Sequence, residues 1–437
     1  MTRMVATCLL VAAGSCVGLA AAAPYDPGQP VPEPPLVPLA TPPVPQAVMG
    51  EDDWRTANDT VGAFIRGHID ILRWEAENRP PAVAEAVPEG EPLSPAEAVR
   101  IALGHRPDLF ATEEMNGIER ARADIAVTEF ARDVHRAWIR AVAAQQLLRR
   151  AEEALEAADV ATELAVRMTR VGNWGQDRLL REQRTLVDAG IRLAQARQEA
   201  TSAREALVRI LGLWGDAAAI PLPDGLPDLP ETPVAGEGLE ATALRHHPQL
   251  PLAAIEAERA QRGLASRTRN MWEEAAQAAL DQAAATAPDD GNPLEHLITS
   301  APVLERRRLP AGHDAERAAR AGANAASLAV KVRSQVREAY HHYRVTYEIA
   351  HRARESARLS AESQEDMLLR YNGMLKSTWD LLASARDRVE SAGASVQAQR
   401  DFWLAHTNLQ AVLAGGDYPG PDAISVGGAG SKDAGGH

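Results

Sequence analysis

The chain is poor in the residues that most often disclose a chemistry. It has 2 cysteines among 437 residues, Cys8 and Cys16. Both lie in the apolar run that opens the chain, so the body beyond residue 23 has no thiol for a disulfide, a metal or redox work. Aromatic residues make up only 4%, and strands draw on aromatic and β-branched side chains, so the composition disfavours a sheet protein. Positive charge is not in excess. With 46 Lys and Arg against 60 Asp and Glu, the net charge is −14, which excludes a binder of nucleic acid that needs clustered basic residues. Past the N-terminal run, no segment reaches the ~18–20 continuous apolar residues of a membrane-spanning helix.

Catalytic signatures are also missing. There is no Gly-rich phosphate loop, no HExxH pattern, no Ser/His/Asp order and no paired-carboxylate signature. The sequence therefore gives no catalytic residue, no cofactor and no metal site, and an enzyme is not expected. His246-His247 and His341-His342 are adjacent pairs. Neighbours on a helix do not face each other, so these read as helix-surface or core histidines.

Proline is absent from two long spans, 108–220 and 311–418. A proline inside a helix costs about 3 kcal/mol or more, so both spans are free to be long helices. Apolar residues recur there at steps of three and four. Trp138, Val142, Leu148 and Leu155 mark one stripe; Leu382, Ala385, Val389, Ala392, Val396 and Trp403 mark another. Alanine fills many seam positions, as helices packed closely through small side chains require.

Around these spans the organisation is plain. Residues 1–23 read as an export signal: Arg3, an apolar run from Val5 to Leu19, then Ala20-Ala21-Ala22. "AGSC" ending at Cys16 resembles a lipoprotein cleavage box, with Ala13 where Leu is usual, so lipidation at Cys16 and cleavage near Ala22 or Ala23 both stand. Residues 24–92 form a Pro-rich leader with one short amphipathic helix, marked by Val61, Phe64, Ile65, His68, Ile69 and Leu72. A first helical repeat covers 93–216, a linker 217–236, a second repeat 237–416, and a disordered Gly-rich tail 417–437. Ser94, Pro95 and Glu97 open the first repeat as N-cap, first helical residue and capping-box partner.

Each long span is broken once, at "RVGNWGQDRLL" (170–180) and at "RYNGMLKSTWDLL" (370–382). Gly172, Asn173 and Gly175 supply turn chemistry in the first, Asn372 and Gly373 in the second. Asp177, and Ser377 or Thr378, then cap the outgoing helices. Each break is the tip of a helical hairpin with an ingoing arm of roughly 85 Å.

The two units are copies. "ALGHRPDL" from Ala102 recurs as "ALRHHPQL" from Ala243, a shift of 141 residues. At the tips Gly172 pairs with Gly373, a shift of 201, and Gly212 pairs with Gly415, a shift of 203. The second copy thus holds about 60 extra residues near 264–312, the only room for strands.

This combination resembles the TolC-like outer-membrane efflux family over about 92–416. The closing hairpin "LLRYNGMLKSTWDLLASARDRVE", the tip "RVGNWGQDRLLREQRTL" and the duplicated opener with Pro107 and Pro248 carry the likeness. The resemblance implies a homotrimer whose helices form a periplasmic tunnel and whose β-hairpins close a barrel in the outer membrane. It implies a passive conduit of a tripartite export system, with a periplasmic adaptor and an inner-membrane pump as partners. It assigns adaptor docking to Gly172, Asn173, Trp174 and Asp177, and to Asn372, Gly373, Met374, Leu375 and Thr378. The chain departs from the family in its strands. "LEHLITSAPVLE" alternates poorly and contains Pro302, and Arg306-Arg307-Arg308 follows directly. The expected fold is mainly α, two repeated long antiparallel hairpins with little or no β-barrel. A non-conducting periplasmic scaffold derived from that family is the alternative.

Overall fold

The computed structural model describes residues 91–262, 264, 266–285, 303–304 and 313–422. The export signal with Cys16, the Pro-rich leader with its short helix, Arg306–Arg308 and most of "LEHLITSAPVLE" lie outside the described residues. Among the described residues there are helices and no strand. They are α1 (Pro95–Gly104), α2 (Gly117–Arg170), α3 (Gln176–Leu211), α4 (Leu239–His246), α5 (Gln249–Gln261), α6 (Ser266–Ala285), α7 (His313–Asn372) and α8 (Thr378–Leu413).

The two proline-free spans fold as hairpins. Helix α2 has 54 residues and α7 has 60, so at 1.5 Å per residue they run about 80 and 90 Å. The returning helices α3 and α8 have 36 residues each. The starts are fixed locally. Asn116 accepts from the N–H groups of Ile118 and Glu119 while Glu119 reaches back to the Asn116 N–H, a complete capping box. At α1 only half of the expected box forms. Ser94 accepts from the Glu97 N–H, but the Glu97 carboxylate turns to Arg100 instead.

The hairpins pack side by side in the order α3, α2, α8, α7. The two returning helices are therefore not equivalent in place: α3 lies at a flank, α8 at the centre against α2. Buried alanines at 141, 143, 144, 158, 161 and 165 let the backbones approach. Larger groups fill two clusters away from the tips. One centres on Val134, Trp138, Ile139, Leu207 and Leu211, and the other on Val336, Tyr343, Tyr347, Phe402 and Leu409.

Residues 217–236, expected as a linker, run as a strap across one face of all four long helices. Arg204 of α3 donates to the Ile220 carbonyl at 2.8 Å. Arg149 of α2 pairs with Asp224 at 2.9 Å, and Trp403 of α8 donates to the Pro227 carbonyl at 3.0 Å. On α7 the Tyr347 hydroxyl donates to the Glu231 carbonyl at 2.9 Å, and the Val234 N–H donates to the Tyr343 hydroxyl at 3.0 Å. An extended strap satisfies its polar backbone through these side chains, since it has no ladder of its own.

The opposite face carries the start of the C-terminal segment. The expected disordered tail is ordered here through Asp422. Tyr418 is buried, Asp417 pairs with Lys331 at 2.7 Å, and Asp422 pairs with Arg136 at 2.7 Å. Two anchoring charges and one buried ring outweigh the flexibility that Gly415, Gly416 and Gly420 lend this stretch. On α7 and α2 the residues that touch the two segments sit on roughly opposite sides, as Tyr340 and His342 do on α7.

The extra residues of the second copy, the only room for strands, begin as helix α6. The run "EEAAQAALDQ" in it is rich in strong helix formers.

Candidate functional site: the hairpin tips

The two tips lie at the same end of the molecule and touch. Their backbones are superimposable in pattern. The Gly172 N–H donates to the Thr169 carbonyl and the Asn173 N–H to Met168, each at 3.0 Å. The Met374 N–H donates to Tyr371 and the Leu375 N–H to Arg370, each at 2.9 Å. These are paired helix-terminating bonds of one kind, and each closes on a residue in the left-handed region. That residue is Gly172, with φ of 79°, and Met374, with φ of 59°.

The tips are therefore related by a shift of 202 residues. The expected pairing of Gly172 with Gly373 is off by one, and Gly373 matches Val171. Gly373 keeps negative φ, and a β-carbon on it would meet only ordinary contacts at 3.5 Å.

The capping residue differs from expectation at the first tip and matches it at the second. Gly175, without a side chain, holds the N-cap of α3, and Asp177 lies inside the first turn in an ion pair with Arg181. Ser377 caps α8 and shares a capping box with Asp380. The Ser377 N–H, then its hydroxyl, hold the Asp380 carboxyl below the usual range. Thr378 is the first helical residue, half-buried, with its hydroxyl 3.5 Å from that of Tyr371.

Gly172, Asn173, Asp177, Asn372, Gly373, Met374 and Leu375 are all exposed. Met374 is 93% exposed and Leu375 78%, and Leu369 and Val171 add further exposed apolar surface. These side chains leave apolar surface exposed at the shared end of the two hairpins.

Trp174 sits differently. It is half-buried and meets Trp379 edge to face, with ring centroids 5.5 Å apart. The Arg178 guanidinium lies 3.8 Å from the Trp174 centroid and 4.6 Å from that of Trp379. Arg386 lies 5.1 Å from the Trp379 centroid and pairs with Glu182 at 2.5 Å. A ladder of two indoles, two guanidiniums and one buried carboxylate thus joins the first tip to the second. Trp379, Arg178, Arg386 and Glu182 were not among the residues expected from sequence. The "STWD" run does place an indole one turn from a tip, which is the only local signal.

A second polar cluster lies toward the far end, under the C-terminal segment. Arg136 donates to both Asp422 oxygens, at 2.7 and 2.8 Å, and to Asn408 at 2.6 Å. Burial by itself would raise the Asp422 carboxyl, but the Arg136 hydrogen bonds, with Arg140 nearby, carry it below the usual range. Burial lowers His135, His247, His342 and His406 below the ordinary imidazole value. Each adjacent pair is split, with His247 and His342 buried and His246 and His341 exposed. Among the described residues no group of three or more His, Cys, Asp or Glu is placed to hold a metal, and no helix is long and apolar enough to cross a membrane.

No protein-family model and no curated protein matches the sequence. Solved structures do. The chain is similar to the CmeC outer membrane channel of Campylobacter jejuni, with 14% identity, 70% of this chain and 66% of that chain covered, and a TM-score of 0.47. It is similar to CusC, with 14% identity, coverage of 83% and 98%, and a TM-score of 0.48. It is similar to the open-state MtrE outer membrane channel of Neisseria gonorrhoeae, with 17% identity, coverage of 75% and 73%, and a TM-score of 0.44. At these values the likeness is loose.

Proposed function

We propose that the protein is a TolC-like outer-membrane export conduit whose tips dock a periplasmic adaptor, in a trimer served by an inner-membrane pump. The observation that carries this reading is the pair of tips. Two copies of one hairpin end at the same level, locked side by side, and present Val171, Leu369, Met374 and Leu375 to solvent. Burying such a side chain is worth about 1.5–3 kcal/mol, enough for a few of them to hold an adaptor. In the layer α3, α2, α8, α7 no further long helix lies beyond α3 or α7 among the described residues, although the short helices α4, α5 and α6 pack on part of α7. Leu180, Val187 and Ile191 on α3 and Val330 on α7 are exposed apolar residues on those flanks. Closure into a ring buries them.

The test has two arms. Detergent-extracted protein is expected to run as a trimer from the outer-membrane fraction. Release of a monomer by carbonate would favour the non-conducting scaffold. Met374→Asp with Leu375→Asp is expected to abolish cross-linking to the adaptor while the trimer persists; unchanged cross-linking would remove docking from the tips.

A further inference from the structure

We propose that the face opposite the strap carries a binding cleft for a small organic anion with a flat apolar body. The cleft lies between α2 and α3, with a volume of about 520 Å³, lined by Asp133, Arg136, Ala137, Arg140, Arg209 and Ile210 among others. That volume is of the order of small-molecule sites, which run roughly 300–1,000 Å³. A second, smaller cleft continues it past Arg140 and brings in Arg400 with three carboxylates, Glu199, Asp401 and Asp422, so the cationic excess is confined to the first cleft.

The charges are not matched. Asp133 is engaged by Arg132 at 2.9 Å, and Arg136 is saturated by Asp422 and Asn408. Arg140 makes one long contact, 3.3 Å, to an Asp422 oxygen that Arg136 already holds. Arg209 pairs with no carboxylate among the described residues and stands at the cleft's rim, in the last turn of α3. Arg140 and Arg209 therefore face one cleft with donors to spare, above a floor of Ala137, Ala206 and Ile210. A guanidinium fork suits a carboxylate or sulfonate, and the alanine floor suits a ring. In a chain of net charge −14 such a cationic cleft is a local reversal of sign, and it concentrates anions there.

The cleft also has a position. Helix α1, the strap and α4 thicken the other face, so closure into a tube turns the thin face, with this cleft, inward. Only that inward orientation rests on the conduit reading. The binding itself does not need the tube.

Binding is measured on the purified full chain by fluorescence titration with 2-naphthoate, with 2-naphthamide as the neutral probe of the same shape. Naphthoate is expected to bind at least tenfold tighter than the amide and to weaken with salt. Arg209→Gln is expected to weaken naphthoate at least tenfold and leave the amide unchanged, while Arg192→Gln, elsewhere on α3, changes neither. Asp422→Asn removes the carboxylate that competes for Arg140 and is expected to tighten naphthoate binding severalfold, which a merely structural role for Asp422 would not do. Equal binding of the two probes, no saturable binding, or no effect of Arg209→Gln overturns the proposal. Each of those results would leave trimer formation and tip docking untouched, so the two readings fail separately.

Discussion

Gly172 and Met374 occupy the same left-handed corner of the two hairpins, 202 residues apart. A β-carbon in that region costs about 1–2 kcal/mol, so the second tip carries strain that the first does not. Met374→Gly is expected to raise stability by up to about 1 kcal/mol, the relief less glycine's greater unfolded entropy. Gly172→Ala is expected to cost about 1 kcal/mol, and Gly373→Ala to be neutral or slightly stabilising. Denaturant midpoints of the three variants check this. A large loss from Gly373→Ala would return the corner to the position the Asn-Gly pair suggested.

The Trp174–Arg178–Trp379 contact predicts coupling between the tips. Arg386→Ala leaves Glu182, which is 5% exposed, as a buried carboxylate without its partner, and is expected to cost about 3 kcal/mol. Glu182→Gln is expected to cost less, and the two changes together less than their sum. A double-mutant cycle on Trp379→Ala and Arg178→Ala is expected to show a coupling of about 0.5–1 kcal/mol. Additive losses would mean that the hairpins touch at the tips without holding each other.

These tips also show what the sequence could disclose. The long arms were legible because proline is absent and apolar residues keep a helical period, both local signals. The existence of each turn was legible from Gly and Asn. Its exact corner was not, because Gly373 sits one residue before the left-handed position and Met374 gives no sign of accepting it. The strap at 217–236 has no period to read, since its partners Arg204, Trp403 and Tyr347 alternate between helices far apart in sequence. Asp422 meets Arg136 across 286 residues, a pairing that composition and spacing do not encode. The extra residues of the second copy were legible only as a length surplus between the repeats; the alanine-rich run at their start favours the helix α6.

Acid is expected to weaken the protein before its carboxylates titrate. Burial lowers His135, His247, His342 and His406 in the fold. The unfolded chain then binds more protons than the folded one below about pH 6.5, the unperturbed value, so stability is full above that pH and falls as pH drops through it. Asp417 and Asp422 act the same way further down, below the ordinary Asp range. Tyr418, raised by burial to about 12, adds a loss on the alkaline side as pH passes the ordinary tyrosine value near 10. Thermal melts are expected to fall between pH 6.5 and 5, and His406→Gln with His342→Gln to flatten that fall. A flat profile in the parent protein would show that these rings are solvated in the native state.

The Asp422 anchor can be tested by removing it in two ways. Arg136 is 12% exposed in its side chain and Asp422 22%, so the bidentate pair is largely shielded from solvent. Asp422→Ala leaves the guanidinium with Asn408 and no matching charge, and is expected to cost about 2–3 kcal/mol. Ending the chain after Gly416 removes that carboxylate together with the Tyr418 ring and the Asp417 contacts to Lys331, Gln335 and Arg132. It is expected to cost more than Asp422→Ala alone, and to do so by freeing α7 from α2, since Asp417 bridges these two helices. Hydrogen exchange should then accelerate around 329–342 on α7 and 129–136 on α2, and remain slow near Trp138 and Tyr347, which the strap and the openers hold from the other face. Unchanged exchange in both stretches would show that the strap, not the C-terminal segment, sets their spacing, and an even rise along both helices would show a general loss of stability and not a local bridge.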